Sequence, residues 1–333
     1  MKKVILIAFS ILILFLAVSY FIPVRKLNEV IIANSYTNII KATFQPKNWI
    51  KWNDDVKDAW QKDSSSCHFT EDSLNHVSTI DIPGQQIRIT QNHFLLYQLK
   101  ETKQSHVSNF SFLMTMNVGY EKGSSGLNTL VTYGQMSRLL YKFFPFFEDT
   151  SFAHQTIASL KTYLEDPFRV YGFPIGLSQS SDSIFLTKTV VSSKKEIFKK
   201  LPLVFNELDS FARSKGIANP VNKNIYFNYI NKDSLSVNAG VNINKIIPDD
   251  YLISCKRFYN GQIMVIGHYE GPFYKRYEIY NAMDQFMLDH QFIKGGASYE
   301  KYVSLLPASD SSVTKIELYY PLLNRSAISP VGR

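Results

Sequence analysis

Glu317 and Tyr319, a carboxylate and a phenol two residues apart, are the first side chains in this sequence with chemistry to offer. In residues 315–320, Ile316, Leu318 and Tyr320 alternate with Lys315, Glu317 and Tyr319, which places Glu317 and Tyr319 on one face of a strand. A carboxylate set among aromatic rings attracts a lipophilic cation by its charge, and the rings add cation–π contact. The plain alternative is a solvated sheet face on which Glu317 pairs with a surface lysine. In the first half, Trp49 and Trp52 lie in the stretch Pro46-Lys47-Asn48-Trp49-Ile50-Lys51-Trp52. They read as core or cavity-rim packing rather than a catalytic pair, and they are the candidate ligand contacts of that half.

Other chemistry is missing from the sequence. There is no G-x-S-x-G elbow, P-loop, G-x-G-x-x-G or H-E-x-x-H motif, and the seven histidines are dispersed without metal-like spacing. Two cysteines, Cys67 and Cys255, build neither a disulfide framework nor a metal site. We therefore expect no catalytic motif of these kinds, no cofactor and no metal. The net charge of +8 is spread unevenly, with 19 basic and 14 acidic residues in 176–333. It forms no basic stripe, so nucleic acid is not the expected partner. Lys194, Lys195, Lys199 and Lys200 cluster around Glu196 at a helix start; a solvated helix face is the simpler reading, and contact with anionic headgroups the other.

These residues have to be positioned by a chain that begins with an apolar run. Residues 4–22 contain no charged side chain. At about 1.5 Å per residue such a run nearly spans the hydrocarbon of a bilayer. A cleaved signal peptide has a shorter apolar core, about 7–15 residues, ending in small residues; this run is longer and ends in Tyr20, Phe21 and Ile22. We read it as a transmembrane anchor, 1–23, with the membrane as a partner through residues 4–22. Positive charge flanks both ends, Lys2 and Lys3 before and Arg25 and Lys26 after, so it sets no orientation.

Beyond the anchor the patterning is α+β. Residues 26–33 read as a strand, a helix capped by Asn34 or Ser35 runs to Phe44, and Pro46 opens a short second helix. A polar loop to about Glu71 follows. Strands are then expected at 77–82, 86–90, 94–100, 107–118 and 126–136. In 107–118 the even positions are almost wholly apolar and should face a core or cavity. A helix over 148–164 closes this half before Asp166-Pro167. The Gly-, Pro- and Ser-rich stretch around 171–182 reads as a linker. After it, strand, helix and hairpin occur twice, and Asn206, Asp209 and Phe211 match Asn281, Asp284 and Phe286 at an offset of 75, which points to two β-α-β-β units. Gly271-Pro272 reads as a helix start.

Two resemblances follow from these residues. The opening strand, the Pro46–Trp52 stretch and Leu160-Lys161-Thr162-Tyr163-Leu164-Glu165 make 24–170 similar to the START-like (SRPBCC, polyketide-cyclase-like) superfamily. That implies a helix-grip domain around an apolar cavity. Tyr269-Glu270-Gly271-Pro272-Phe273 and Lys315-Ile316-Glu317-Leu318-Tyr319-Tyr320-Pro321-Leu322 make 183–323 resemble the GyrI-like effector-binding family. Leu306-Pro307 departs from it, where an acidic residue is expected before the proline. This second resemblance implies a groove between two half-sheets with Glu317, Tyr319 and Tyr269 as ligand contacts. A tail, 324–333, ends the chain.

Together these readings describe a membrane-anchored, non-enzymatic sensor, carrier or sequestration protein for hydrophobic small molecules or lipids, cations among them. They place it as a single-pass protein of a bacterial inner membrane. One alternative is a hydrolase of lipophilic electrophiles in which Glu317 with Tyr319 or Tyr269 activates water; another is a protein-interaction module. The anchor reading carries a direct expectation: removing residues 1–24 releases a folded, soluble protein. Fractionation checks it, and tight membrane association of the truncated chain after a high-salt wash would refute a single anchor.

Overall fold

The computed structural model describes residues 13–14, 25–32, 34–93, 96–103, 106–115, 125–132, 151–180, 184–217, 220–229, 233–257, 261–303 and 306–323. They fall into two units, divided between Asp166 and Pro167, each with an antiparallel sheet. Among the described residues no helix is long and apolar enough to cross a membrane. The expected anchor over 4–22 lies outside them apart from Ile13 and Leu14, and the tail 324–333 lies outside them altogether.

In the first unit β1 (Arg25–Ile32) is followed by α1 (Tyr36–Phe44), a 3-10 turn (Pro46–Lys51) and α2 (Asp54–Lys62). Six strands come next: β2 (His68–Asp72), β3 (Val77–Ile82), β4 (Gln85–His93), β5 (Leu96–Lys103), β6 (His106–Thr115) and β7 (Ser125–Thr132). Helix α3 (Ser151–Leu164) closes the unit. The sheet order is β1-β7-β6-β5-β4-β3-β2, a meander whose last strand returns to the first. Ser35 caps α1, its hydroxyl accepting from Asn38 N. Asn34 donates to the carbonyl of Leu164 at 2.6 Å, which ties the start of α1 to the end of α3. The polar loop expected up to Glu71 contains α2 instead. Asn53 caps that helix, and Asp54 and Asp55 sit in its first turn, where the helix dipole favours negative charge. The faces expected for 107–118 rest on side chains outside the described residues.

The second unit opens with α4 (Pro167–Tyr171) and β8 (Ile175–Gln179), then β9 (Ile184–Ser193), α5 (Ile197–Ser214), β10 (Val221–Tyr229) and β11 (Ser234–Asn242). It continues with β12 (Ser254–Arg257), β13 (Ile263–Pro272), α6 (Tyr277–Asp289), β14 (Tyr299–Tyr302) and β15 (Val313–Pro321). The expected linker is part of this unit. β8 pairs with β13, Ile175 enters the core, and the Tyr171 hydroxyl donates to Asp289 at 3.1 Å.

The sheet order β12-β9-β11-β10-β14-β15-β13-β8 holds two β-α-β-β units joined at β10 and β14. The repeat is present, but its register is not the one read from Asn206 and Asn281. The buried face of α5 (Leu201, Val204, Phe205, Leu208) recurs in α6 as Ile279, Ala282, Met283 and Phe286, each 78 residues further on. Burial sets the equivalence, and the matched polar letters were incidental to it. Gly271-Pro272 ends β13, which stays paired to β15 through Pro272↔Val313, and Pro272 is also the N-cap of a 3-10 turn (Phe273–Lys275) that leads into α6. Gly271 is required there because a Cβ would lie 2.8 Å from the Tyr269 hydroxyl, which folds under the strand and donates to Pro272 O.

Both α5 and α6 pack on one face of the sheet, over Val237, Val265, Ile316 and Leu318 among others. Beneath them lies a fully buried carboxylate, Glu300. It accepts from Arg276 at 2.9 Å and from the hydroxyls of Tyr280 and Tyr302, each at 2.7 Å. Burial, and after it the charge of Glu300, hold both phenols well above their ordinary pKa, so they remain donors. The Arg276 guanidinium lies 3.8 Å from the ring centre of Phe273. Deleting one partner of such a pair strands the other charge in the core. Glu300→Ala is therefore expected to cost the second unit about 3–5 kcal/mol in urea unfolding. Glu300→Met combined with Arg276→Leu, which removes both charges, should recover most of that loss.

Candidate functional site

The opposite face of the same sheet is built by register. Thr187 pairs with Gly240, Gly240 with Asn224, Asn224 with Lys301, Lys301 with Glu317, and Glu317 with His268. Alternate residues of a strand share a face, so these six form one row running across six strands. The row has a small, polar half (Thr187, Gly240, Asn224) and an ionic half (Lys301, Glu317, His268). In the adjacent row Tyr299 pairs with Tyr319, and their rings stack at 4.9 Å and 3°. Phe185 meets Tyr299 edge-on at 5.6 Å. Phe185 and Tyr299 stand on β9 and β14, with β11 and β10 between them, and they can meet because Gly240 and Asn224 leave room. A Cβ on Gly240 would already come within 3.1 Å of Thr187 and 3.9 Å of Phe185. With Met264 and Tyr319 these rings make a small apolar cluster separate from the core under the helices.

Two hollows lie by these rows, one at Tyr299 and one at Glu317. The apolar groove, about 220 Å³, is lined by Phe185, Thr187, Asn224, Tyr226, Lys256 and Tyr299 among others. The second, about 510 Å³, lies at the sheet edge where β13 runs on past the end of β8, and Phe168, Phe173, His268, Tyr269 and Glu317 line it.

Glu317 therefore stands on the face expected of it, beside Tyr319, but it borders the edge hollow and not the apolar groove. It also has company. The Tyr319 hydroxyl donates to Oε2 at 2.7 Å, Lys301 Nζ lies 3.4 Å from the same oxygen, and His268 Nδ1 lies 3.9 Å from Oε1. Burial by itself raises this carboxyl. The Tyr319 hydroxyl and then the Lys301 ammonium outweigh burial, and the group sits below the ordinary carboxylate range.

Tyr269 lines the same edge hollow as Glu317, but it is buried in the helix-side core and its hydroxyl donates to Pro272 O. Burial raises its pKa above the ordinary value. Trp49 and Trp52 are fully buried, with ring centres 4.4 Å apart. Their indole N–H groups donate to Thr43 O and Ala42 O at the end of α1, so they cap a helix and fill the core of the first unit.

Sequence reasoning missed Phe185, Asn224, Lys256, Tyr299 and Lys301. Alternation would have put Phe185 and Tyr299 on opposite faces from Leu186 and Glu300. Nothing local shows that β14 pairs with β10, and that pairing alone brings the residues together. Among the described residues no cluster of His, Cys, Asp or Glu could hold a metal ion.

What the fold and the site define is a tandem β-α-β-β unit with both helices on one sheet face and an aromatic groove on the other. No protein-family model and no curated protein matches the chain. Among solved structures it is similar to the EcmrR C-terminal domain, at 15% identity and a TM-score of 0.36, over 45% of this chain and 98% of that one. It is similar to EcmrR in a complex with DNA, at 11% identity and a TM-score of 0.37, over 57% and 77% of the two chains. A hydrolase from Listeria innocua is similar at 12% identity and a TM-score of 0.34, over 45% and 91%.

The charge arrangement around Glu317 gives a pH dependence with a definite sign. A carboxyl whose folded pKa is depressed adds stability that is complete above its ordinary value, near 4.5, and is lost as pH falls through the lower folded value. Glu317→Gln keeps the shape without the charge. Wild type should melt above the variant at about pH 7, and the gap should narrow as pH falls below about 4.5. A separation that does not change with pH would mean that the pairing stabilises nothing.

Proposed function

We propose that the second unit binds hydrophobic, planar small molecules in the groove on the sheet face turned away from α5 and α6, without chemically transforming them. One observation carries this reading. On an antiparallel sheet, large aromatics normally sit on the face covered by helices. Here Phe185, Tyr226 and Tyr299 stand on the other face around a hollow of about 220 Å³ with a small-residue floor, and Tyr319 packs behind Tyr299. A dry apolar cavity of about 150 Å³ accepts benzene, so this space suits a two-ring aromatic. Such a unit would serve as a sensor, carrier or sequestration device.

Hydrolysis by Glu317 is the weaker reading. A general base works best with its pKa near the operating pH, whereas Tyr319 and Lys301 pull this one further down. The selectivity for cations expected from an isolated carboxylate loses its support for the same reason: Lys301 already occupies the place of the cation.

For the rest of the chain, we read the first unit as START-like from its element order, with a single returning strand and a closing helix. We read residues 4–22 as the anchor from their uncharged length, in a bacterial inner membrane. The absence of a basic stripe in the sequence supports a small-molecule or lipid partner over nucleic acid.

The groove is tested by filling it. Ala297 is exposed and lines the groove, so Ala297→Trp should occupy the space without touching the core. The purified full chain should bind 1-naphthylamine, a neutral two-ring probe, and the variant should bind it about tenfold more weakly or worse, a loss of about 1.4 kcal/mol, at unchanged melting temperature. Equal affinity of the two proteins would remove the groove from the reading.

A further inference from the structure

We infer that the groove selects anionic aromatic ligands that carry a hydrogen-bond donor, the opposite of the charge preference Glu317 invites. The inference rests on the groove being a binding site and concerns what enters it. Three features of the lining carry it.

The first is charge. Among the described residues that line the groove, Lys256 is the one ionic side chain. Its place is fixed by register, since it pairs with Phe185 across β12 and β9 and so shares the face on which the aromatic ring stands. Glu317 does not line the groove, and it is balanced by Lys301. A cation entering the groove thus meets an ammonium and no available carboxylate. An anion meets the ammonium at the end of an apolar slot, which lets its rings go inward while its charge stays near water.

The second feature is Asn224. It is 4% exposed and lines the groove. Its amide nitrogen donates to Asn242 Oδ1 at 2.6 Å and lies 3.3 Å from Asn222 O. That fixes the orientation of the amide, and the opposite atom, Oδ1, is a buried acceptor without a hydrogen-bond partner. Such atoms are uncommon in folded proteins, because leaving an acceptor dry forfeits the bond it made with water. The atom is sealed from water, so a ligand N–H or O–H that enters the groove reaches it by displacing the side chains that cover it.

The third is shape. Phe185 and Tyr299 present their rings at 66° to one another, and Tyr226 is partly exposed beside them. The slot favours flat rings, which it can contact face-on and edge-on together. Size, donor and charge then describe one ligand class: a two-ring aromatic bearing an amine or hydroxyl on the ring and an acidic group at its outer end.

Four ring-matched probes separate the terms. They are 5-amino-1-naphthalenesulfonate (anion with donor), 1-naphthalenesulfonate (anion without donor), 1-naphthylamine (neutral with donor) and 1-naphthylmethylammonium (cation). Each is titrated by calorimetry into the purified full chain at low salt, with Ala297→Trp as the filled-groove reference. The aminosulfonate should bind tightest and the cation weakest. Lys256 is exposed, so Lys256→Met should fold normally and weaken both sulfonates about three- to tenfold, the scale of a partly screened charge contact. It should leave 1-naphthylamine unchanged. Removing the amine from the aminosulfonate should cost a further several-fold through Asn224, and this comparison avoids mutating a buried residue.

Tighter binding of the cation than of the aminosulfonate would overturn the inference. So would a sulfonate advantage that survives Lys256→Met, or an amine that makes no difference. In each of these cases, binding of 1-naphthylamine that is lost in Ala297→Trp would leave the groove itself standing. If no probe distinguishes wild type from Ala297→Trp, the groove reading fails and this one with it.

Discussion

Three residue pairs join the sheets of the two halves of the second unit, Lys223↔Tyr302, Asn224↔Lys301 and Ile225↔Glu300, where β10 meets β14, beside core contacts such as Phe198–Phe273 and Phe227–Phe273. Neither β-α-β-β half has the other features of the site without this seam. β14 is four residues long, and each of them is committed. Tyr299 and Lys301 face the groove side, while Glu300 and Tyr302 turn under the helices. A slip of one residue would exchange those faces, putting a lysine in the core and a buried carboxylate on the surface. The buried Glu300–Arg276 pair is therefore more than an isolated ionic contact. Through β14 it is fixed in the same register that aligns Lys301 with Glu317.

The two carboxylates on either face of this seam show how differently the same group can be handled. Glu300 has no contact with solvent and is satisfied on both oxygens by a guanidinium and two phenols. Glu317 keeps partial exposure and is balanced by one phenol, one ammonium and a more distant imidazole. In neither case is the carboxylate left waiting for a ligand. Among the described residues that line the groove, the buried acceptor without a partner is Asn224 Oδ1, and the ionic group is Lys256. In the proposed groove, charge selectivity would follow from which ionic groups are already paired, and less from which acidic residue a strand carries.

In the first unit the corresponding organising contacts are local. Asn34 and Ser35 start α1, Thr43 and Ala42 at its end receive the two indole N–H groups, and Asn53 starts α2. Trp49 and Trp52 thus do two jobs at once. They bury a large apolar area and satisfy carbonyls that a helix terminus leaves without partners. A tryptophan pair so near a helix end invites a functional reading, yet its geometry is that of a structural cap.

Much of this was legible in the sequence. The antiparallel strands, their alternation, the capping residues Ser35 and Pro46, the closing helix and the doubling of the second half all follow from periods and propensities that act over a few residues. The sequence also placed Glu317 and Tyr319 on one strand face, since alternation is a local property. It did not determine which side of the repeat is equivalent to which, because polar letters matched at 75 while packing under the sheet fixed the offset at 78. Nor did it tell that Gly271-Pro272 continues a strand, that 171–182 supplies an edge strand, or that Tyr269 turns to the opposite face from Glu317. Each of these depends on a partner far away in the chain: Val313 for Pro272, Gly267 for Ile175, and the helix-side core for Tyr269. The groove is the extreme case. Phe185, Asn224, Lys256 and Tyr299 come from four strands and up to 114 positions apart. Only cross-strand register, set by tertiary pairing and by which faces the helices cover, could bring them to one place.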